Sequence, residues 1–121
     1  EARTWFEVLG SSPEPRCSIV LAMPANGRYH QIRRHLAGRS FPVLGDSSHG
    51  DTKCNRAWRD AHQLPRLLLH CARLRLPHTD GPIDVSVPPP PDMLAVLQGL
   101  PTYADAHSVV PQLLPAVRAE S

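Results

Sequence analysis

The chain has 121 residues, 13 of them basic and 11 acidic, with a formal charge of +2; 41% are hydrophobic and 20% charged. That is room for one domain and too little for two, and it excludes wholesale disorder and collagen-like repetition. No apolar run approaches the ~18 residues a membrane span needs, so no membrane partner is expected.

The three cysteines, Cys17, Cys54 and Cys71, are odd in number and form no CxxC pair, which argues against a disulfide framework. A cytoplasmic location is the expectation that follows. His70 and Cys71 are sequence neighbours and would leave a strand on opposite faces, and no ligand spacing fits zinc, so no metal is expected. Glu1, Ala2, Arg3 and Thr4 show neither an initiating Met nor a signal-peptide apolar region, and the chain reads as the interior of a longer protein.

Charge is segregated along the chain. Ten of the basic residues but only three acids (Asp46, Asp51, Asp60) lie between positions 28 and 75. Lys53 is the only lysine. A GC-rich genome explains arginine over lysine but not the segregation. Arginine's planar fork suits phosphate oxygens and stacks on bases, so the middle of the chain reads as a polyanion-binding surface.

In chain order, residues 4–9 are β-prone and end at Gly10, before a turn-rich stretch at 11–15. Residues 17–23 form a second strand with Cys17, Ile19, Leu21 and Met23 on one face. The spacing predicts a helix over 28–37, closed by Gly38. Tyr29, Ile32 and Leu36 form its apolar stripe, with His30, Arg33 and Arg34 gathered on another side. A turn at 42–46 and a Ser-Ser-His-Gly loop follow.

Asp51 or Thr52 caps a second helix to about Ala61, with Cys54, Trp58 and Ala61 inside and Lys53, Arg56 and Arg59 outside. Residues 66–76 read as the strongest strand, and Ile83, Val85 and Val87 alternate in another, hairpin-paired across 78–82. Residues 88–91 form a polyproline stop, and Asp92 caps a short helix over 93–98. The stretch 99–121 reads as a loosely ordered tail. The class is α+β, with a mostly antiparallel mixed sheet and helices on one side.

Among the acids of the basic middle, Asp51 reads as a helix cap, and Asp46, after Gly45, as a holder of its loop through backbone N–H groups. Ser47 and Ser48 beside His49 lack the setting of a hydrolase nucleophile. No P-loop or dinucleotide fingerprint occurs. The residues by themselves support RNA or DNA binding with no complete catalytic set.

Gly27-Arg28-Tyr29-His30-Gln31-Ile32-Arg33-Arg34-His35-Leu36, followed by Pro42-Val43-Leu44-Gly45-Asp46, resembles the G-R-x-H-Q-[IL]-R-x-H … P-[IV]-x-G-D motif of the RluA-type pseudouridine synthases. Arg66-Leu67-Leu68-Leu69-His70-Cys71-Ala72 and Leu76-Pro77-His78 resemble the family's R-L-x-L-H-A … H-P segment. Residues 45–51 with Asn55-Arg56 are more similar to its tRNA-modifying branch than to its ribosomal-RNA branches. The likeness covers about residues 2–97, placed as the C-terminal half of the catalytic fold, with the missing N-terminal half of the same domain as its partner.

The resemblance implies isomerisation of uridine in RNA, tRNA first, to pseudouridine without a cofactor. The family's nucleophile is an Asp in an H-R-L-D motif, which this sequence does not contain. Arg33 then matches the arginine that partners that Asp. Leu69 matches a leucine lining the uracil pocket. Arg28, His30, Gln31 and Arg34 belong to the motif, and Arg34, Lys53, Arg56 and Arg59 are placed to contact phosphates. The chain alone is expected to be inactive. Rival readings are a truncated RNA-binding module without catalysis and an interaction domain built on the prolines at 88–91.

Overall fold

Alternating apolar residues and two proline-flanked ends give the chain its first hairpin. A computed structural model describes residues 3–25, 29–77 and 79–117. The element order is β1 (Thr4–Pro13), β2 (Arg16–Pro24), α1 (Tyr29–Gly38), α2 (Thr52–His62), β3 (Arg73–Leu76), β4 (Ile83–Ser86), α3 (Pro91–Gln98) and α4 (Tyr103–Val109). The α+β class is as the sequence indicates. The strands, however, form two separate antiparallel hairpins, β1–β2 and β3–β4, rather than one sheet.

β1 runs past Gly10, where the sequence expectation ended it, because a bulge between Val8 and Gly10 absorbs one residue and the ladder resumes with Gly10 opposite Ile19. The residue set aside is Leu9, which is buried in the core. Cys17, Ile19 and Leu21 pack against that core as their period predicts, whereas Met23, at the far end of the same face, is exposed.

α1 runs to Gly38, where the sequence expectation closed it, but the left-handed residue comes two positions later. Ser40, not Gly38, takes the left-handed conformation (φ 66°), with Phe41 N–H donating to the Leu36 carbonyl and Ser40 N–H to that of Ala37. These two bonds close the last turn in a Schellman pattern. Ile32 is buried and Leu36 half-buried, and Phe6 of β1 meets the His35 ring edge-on at 5.7 Å.

α2 starts on Asp51, whose carboxylate accepts the Cys54 N–H at 3.0 Å. Its inner face is Cys54, Asn55 and Trp58; Ala61, expected inside, is exposed. Only 73–76 of the expected strand 66–76 has a ladder partner, since the register Arg73↔Ser86 to Leu76↔Ile83 exhausts β4. Upstream of it the chain has no ladder and is held by single bonds, Leu68 N–H to the Leu44 carbonyl and Val87 N–H to that of Ala72.

Asp92 is not the cap of α3. Pro90 holds that position with Pro91 in the first turn, and Asp92 sits inside the turn, paired with Arg66 at 3.1 Å.

Of the stretch read from the sequence as a loosely ordered tail, residues 99–117 are instead built onto the interior, and 118–121 lie outside the described residues. Leu100, Tyr103, Ala106, Val110 and Leu114 join Leu9, Trp58, Leu64, Met93 and Leu97 in a single cluster. The Tyr103 hydroxyl donates to the Pro115 carbonyl, and His107 Nδ1 lies 2.6 Å from the Leu114 carbonyl, fastening the chain after α4. Pro101 and Pro111 follow the ends of α3 and α4, and Pro115 follows a turn, without loosening the packing. Gly10 makes room for the junction: a Cβ there would meet Thr102 Oγ1 at 2.0 Å.

Candidate active site

Two helices and one tight turn meet around Asp46. The turn exists because Gly45 adopts φ +84°, and because a Cβ at that position would stand 2.2 Å from the Arg66 carbonyl oxygen. Asn55 of α2 clamps the turn from behind. Its Oδ1 accepts the Gly45 N–H at 2.9 Å and its Nδ2 donates to the Asp46 carbonyl at 3.0 Å. Asp46 itself is 1% exposed.

The Asp46 carboxylate collects four donors. Arg33 of α1 grips it side-on, Nε to Oδ2 at 2.9 Å and Nη2 to Oδ1 at 2.8 Å. The Ser48 and His49 backbone N–H groups both donate to Oδ1 at 2.9 Å. The Arg33 bonds hold the Asp46 carboxyl well below the usual carboxylate range. They win over the opposing push of burial, and the two loop N–H groups add to them. The same pairing raises the affinity of Arg33 for its proton.

Such a carboxylate is a poor nucleophile. It is closed off from solvent, weakly basic, and has its oxygens committed to donors. Its place is to hold the loop and the arginine, and the loop-holding part is what its position after Gly45 suggested.

The expectation for Arg33 was a carboxylate partner from outside this sequence; in this chain its side chain, 14% exposed, is paired with Asp46. His30 and His49 meet edge-to-face beside the pair, with ring centroids 5.9 Å apart. Gln31 and Leu69 are half-buried, and Arg34 is exposed. Leu69 follows Leu68, whose bond to Leu44 ties its segment to the turn. Lys53, Arg56 and Arg59 are exposed on the helix that supplies the Asn55 clamp and have no ion pair among the described residues. Arg66, Arg73 and Arg75 are paired with Asp92 and Asp84, so part of the basic stretch is neutralised in space. Arg28 lies outside the described residues, as does the side chain of Tyr29.

Sequence reasoning missed Asn55 as a structural element of the site. Its signal was a weak helix former set beside the inner-face pair Cys54 and Trp58, where a buried amide has to find partners. A shallow cleft of about 230 Å³ lies between residues 86–88 and residues 111–113 with Pro115, and shares no residue with this site. Among the described residues no three His, Cys, Asp or Glu side chains gather as metal ligands, and no helix is long and apolar enough to cross a membrane.

No family model matches the chain. Curated proteins do. The chain is 44% identical over 66 residues to the tRNA pseudouridine synthase C of Vibrio vulnificus (strain CMCP6), covering 54% of this chain and 27% of that protein. It is 45% identical over 69 residues to the protein of that name from Salmonella typhi, covering 57% and 26%. With the Vibrio cholerae serotype O1 protein of that name it shares 38% over 76 residues, covering 61% and 31%. The matched segment thus spans about a quarter to a third of the length of these relatives.

Proposed function

We propose that this chain forms part of the active site of an RNA pseudouridine synthase that isomerises a uridine of tRNA, in the cytoplasm and without a cofactor. The observation that carries the reading is Arg33, forked onto a buried carboxylate within the stretch that resembles the synthase motif, in a chain similar to proteins named tRNA pseudouridine synthase C. In this reading the nucleophile is the Asp of an H-R-L-D motif in polypeptide preceding this segment. Its carboxylate enables the N1–C1′ glycosidic bond to break, the freed uracil turns, carbon 5 is rejoined to C1′ of the ribose, and the carbon 5 hydrogen leaves as a proton while N1 takes one up. Substrate and product are isomers, so no oxidant or co-reactant is consumed.

The residues divide the work by charge. A permanent cation keeps an attacking carboxylate ionised and oriented, and a guanidinium does not deprotonate out of that role. The target base must leave its stack, at a cost of a few kcal/mol. Phosphate contacts from Arg34, Lys53, Arg56 and Arg59 offset that cost and set the register of the RNA. His30, Gln31, Arg28 and Leu69 complete the substrate side.

The test is release of tritium from tRNA labelled at carbon 5 of uridine. The full-length protein turns over and the 121-residue chain does not; turnover by the chain at the full-length rate refutes the absent nucleophile. In the full-length protein Arg33→Ala abolishes release and leaves much of the tRNA binding. Arg56→Ala with Arg59→Ala weakens binding and flattens its dependence on salt. The second reading, an RNA-binding module without catalysis, is favoured by one feature: Asp46 already occupies the side of Arg33. A full-length protein that binds tRNA and releases no tritium establishes that reading instead.

A further inference from the structure

We propose that Asp46 is a positioning residue, holding Arg33 by its Nε–Nη2 side so that the opposite edge of the guanidinium is presented to the nucleophilic carboxylate. One arginine then bridges two carboxylates, one fixed and one reacting. The inference rests on the function proposed above.

The donor inventory makes the bridge possible. A guanidinium has five N–H groups in one plane. The grip on Asp46 uses Nε–H and one N–H of Nη2, which leaves both N–H groups of Nη1 and the second on Nη2. Those three lie on the remaining edges of the plane, the geometry in which a second carboxylate is recognised. A single flexible arginine facing a carboxylate would lose rotamer freedom each time it was aligned. Here that ordering has already occurred, because Asp46 is held in turn by the Ser48 and His49 N–H groups and by the Asn55 clamp.

The charge balance points the same way. Arg33 and Asp46 together are formally neutral. A carboxylate arriving at the free edge still meets guanidinium N–H donors that keep it ionised and oriented, while the Asp46 charge moderates the loss of basicity an unpaired cation would cause. Asp46 is itself excluded as the attacking group by its burial and its four donors. Its effect on the reaction therefore passes through Arg33.

The experiment measures kcat and KM for tRNA with the full-length protein, as wild type, Asp46→Asn, Arg33→Lys and the double variant, each below its own melting temperature. Asp46→Asn is expected to lower kcat by ~10²-fold, the cost of about 1 Å of misplacement at a reacting centre. KM should stay within about threefold, because uniform binding is untouched. Arg33→Lys should be as damaging, since an ammonium keeps the charge but cannot bridge. The double variant should be no worse than the more damaging single one. Should Asp46→Asn fail to fold, Asn55→Ala loosens the same carboxylate from behind and is expected to cost ~10-fold in kcat.

A kcat for Asp46→Asn (or, in its place, Asn55→Ala) within about threefold of wild type, a loss carried by KM, or additive effects in the double variant overturns the assignment. If the wild-type protein turns over and these variants do not discriminate, this inference alone falls. If the wild-type protein is inactive on tRNA, the proposed function falls and takes this inference with it.

Discussion

Replacing Asn55 by Ala removes no charge and little volume, yet it unlocks the turn on which Asp46 stands. Two hydrogen bonds are lost, from the Gly45 N–H and to the Asp46 carbonyl. A buried group left without its partner costs about 1–3 kcal/mol. Gly45 is half-buried and water can reach part of it, so the pair together should cost about 2–4 kcal/mol. Domains of this size are stable by only ~5–15 kcal/mol, so the effect is large.

Equilibrium urea unfolding reads it as a lower midpoint at unchanged slope. Asp51→Ala on the same helix removes only an exposed cap and should cost about 1 kcal/mol. Asn55→Asp sharpens the test. It keeps the acceptor for Gly45 but sets a second carboxylate against the Asp46 carbonyl, so at pH 7 it should be at least as damaging as Asn55→Ala. That unfavourable contact raises the folded-state pKa of the new carboxyl. The penalty is therefore present at neutral pH and eases as the pH falls and the acid form donates to the carbonyl. If Asn55→Ala costs no more than Asp51→Ala, the clamp is not what secures the turn.

Other outcomes follow from the same contacts. Because the Asp46 carboxyl is held below its ordinary range, its contribution to stability is fully present above the unfolded-state pKa of ~3.9 and is lost as the pH falls through the folded-state value. The gap in melting temperature between wild type and Asp46→Asn should therefore be fully open above about pH 5 and narrow steadily as the pH is lowered below about pH 4. Gly45→Ala combines a left-handed φ with a Cβ 2.2 Å from the Arg66 carbonyl oxygen and should lower the melting temperature sharply. Gly38→Ala, with nothing within 4 Å, should leave it near wild type. Thr102→Val should stabilise the chain by about 1 kcal/mol in urea unfolding, because Thr102 Oγ1 is buried with no partner among the described residues.

Much of this architecture was legible in local chemistry. Period-2 apolar residues placed Ile19 and Leu21 on the core, Asp51 announced α2, and the position of Asp46 after Gly45 announced a loop held by backbone N–H groups. What was not legible depends on distant parts of the chain. Asn55 is a clamp only because Gly45 and Asp46 lie against α2, a tertiary fact without a local pattern. Arg33 was marked for a carboxylate from another part of the polypeptide, and proximity of Asp46 in space, not in sequence, decides its partner in this chain. Tyr103, Ala106, Val110 and Leu114 do follow a helical spacing, but small Ala106 and the surrounding prolines hid a stripe whose value comes from what it covers. The length of β3 was misread for a related reason: hydrophobicity marks an extended segment, but only a neighbour makes it a ladder.

The seating of residues 100–114 sets the smallest piece of this polypeptide that can be inherited or transplanted as a unit. A break after residue 98 would strip the roof from Leu9, Met93 and Leu97 and leave the bulge in β1 aimed at water. Any splice, fusion or domain shuffle that keeps the arginine-bearing helix has to carry the last short helix with it, although that helix contributes none of the site's donors or acceptors.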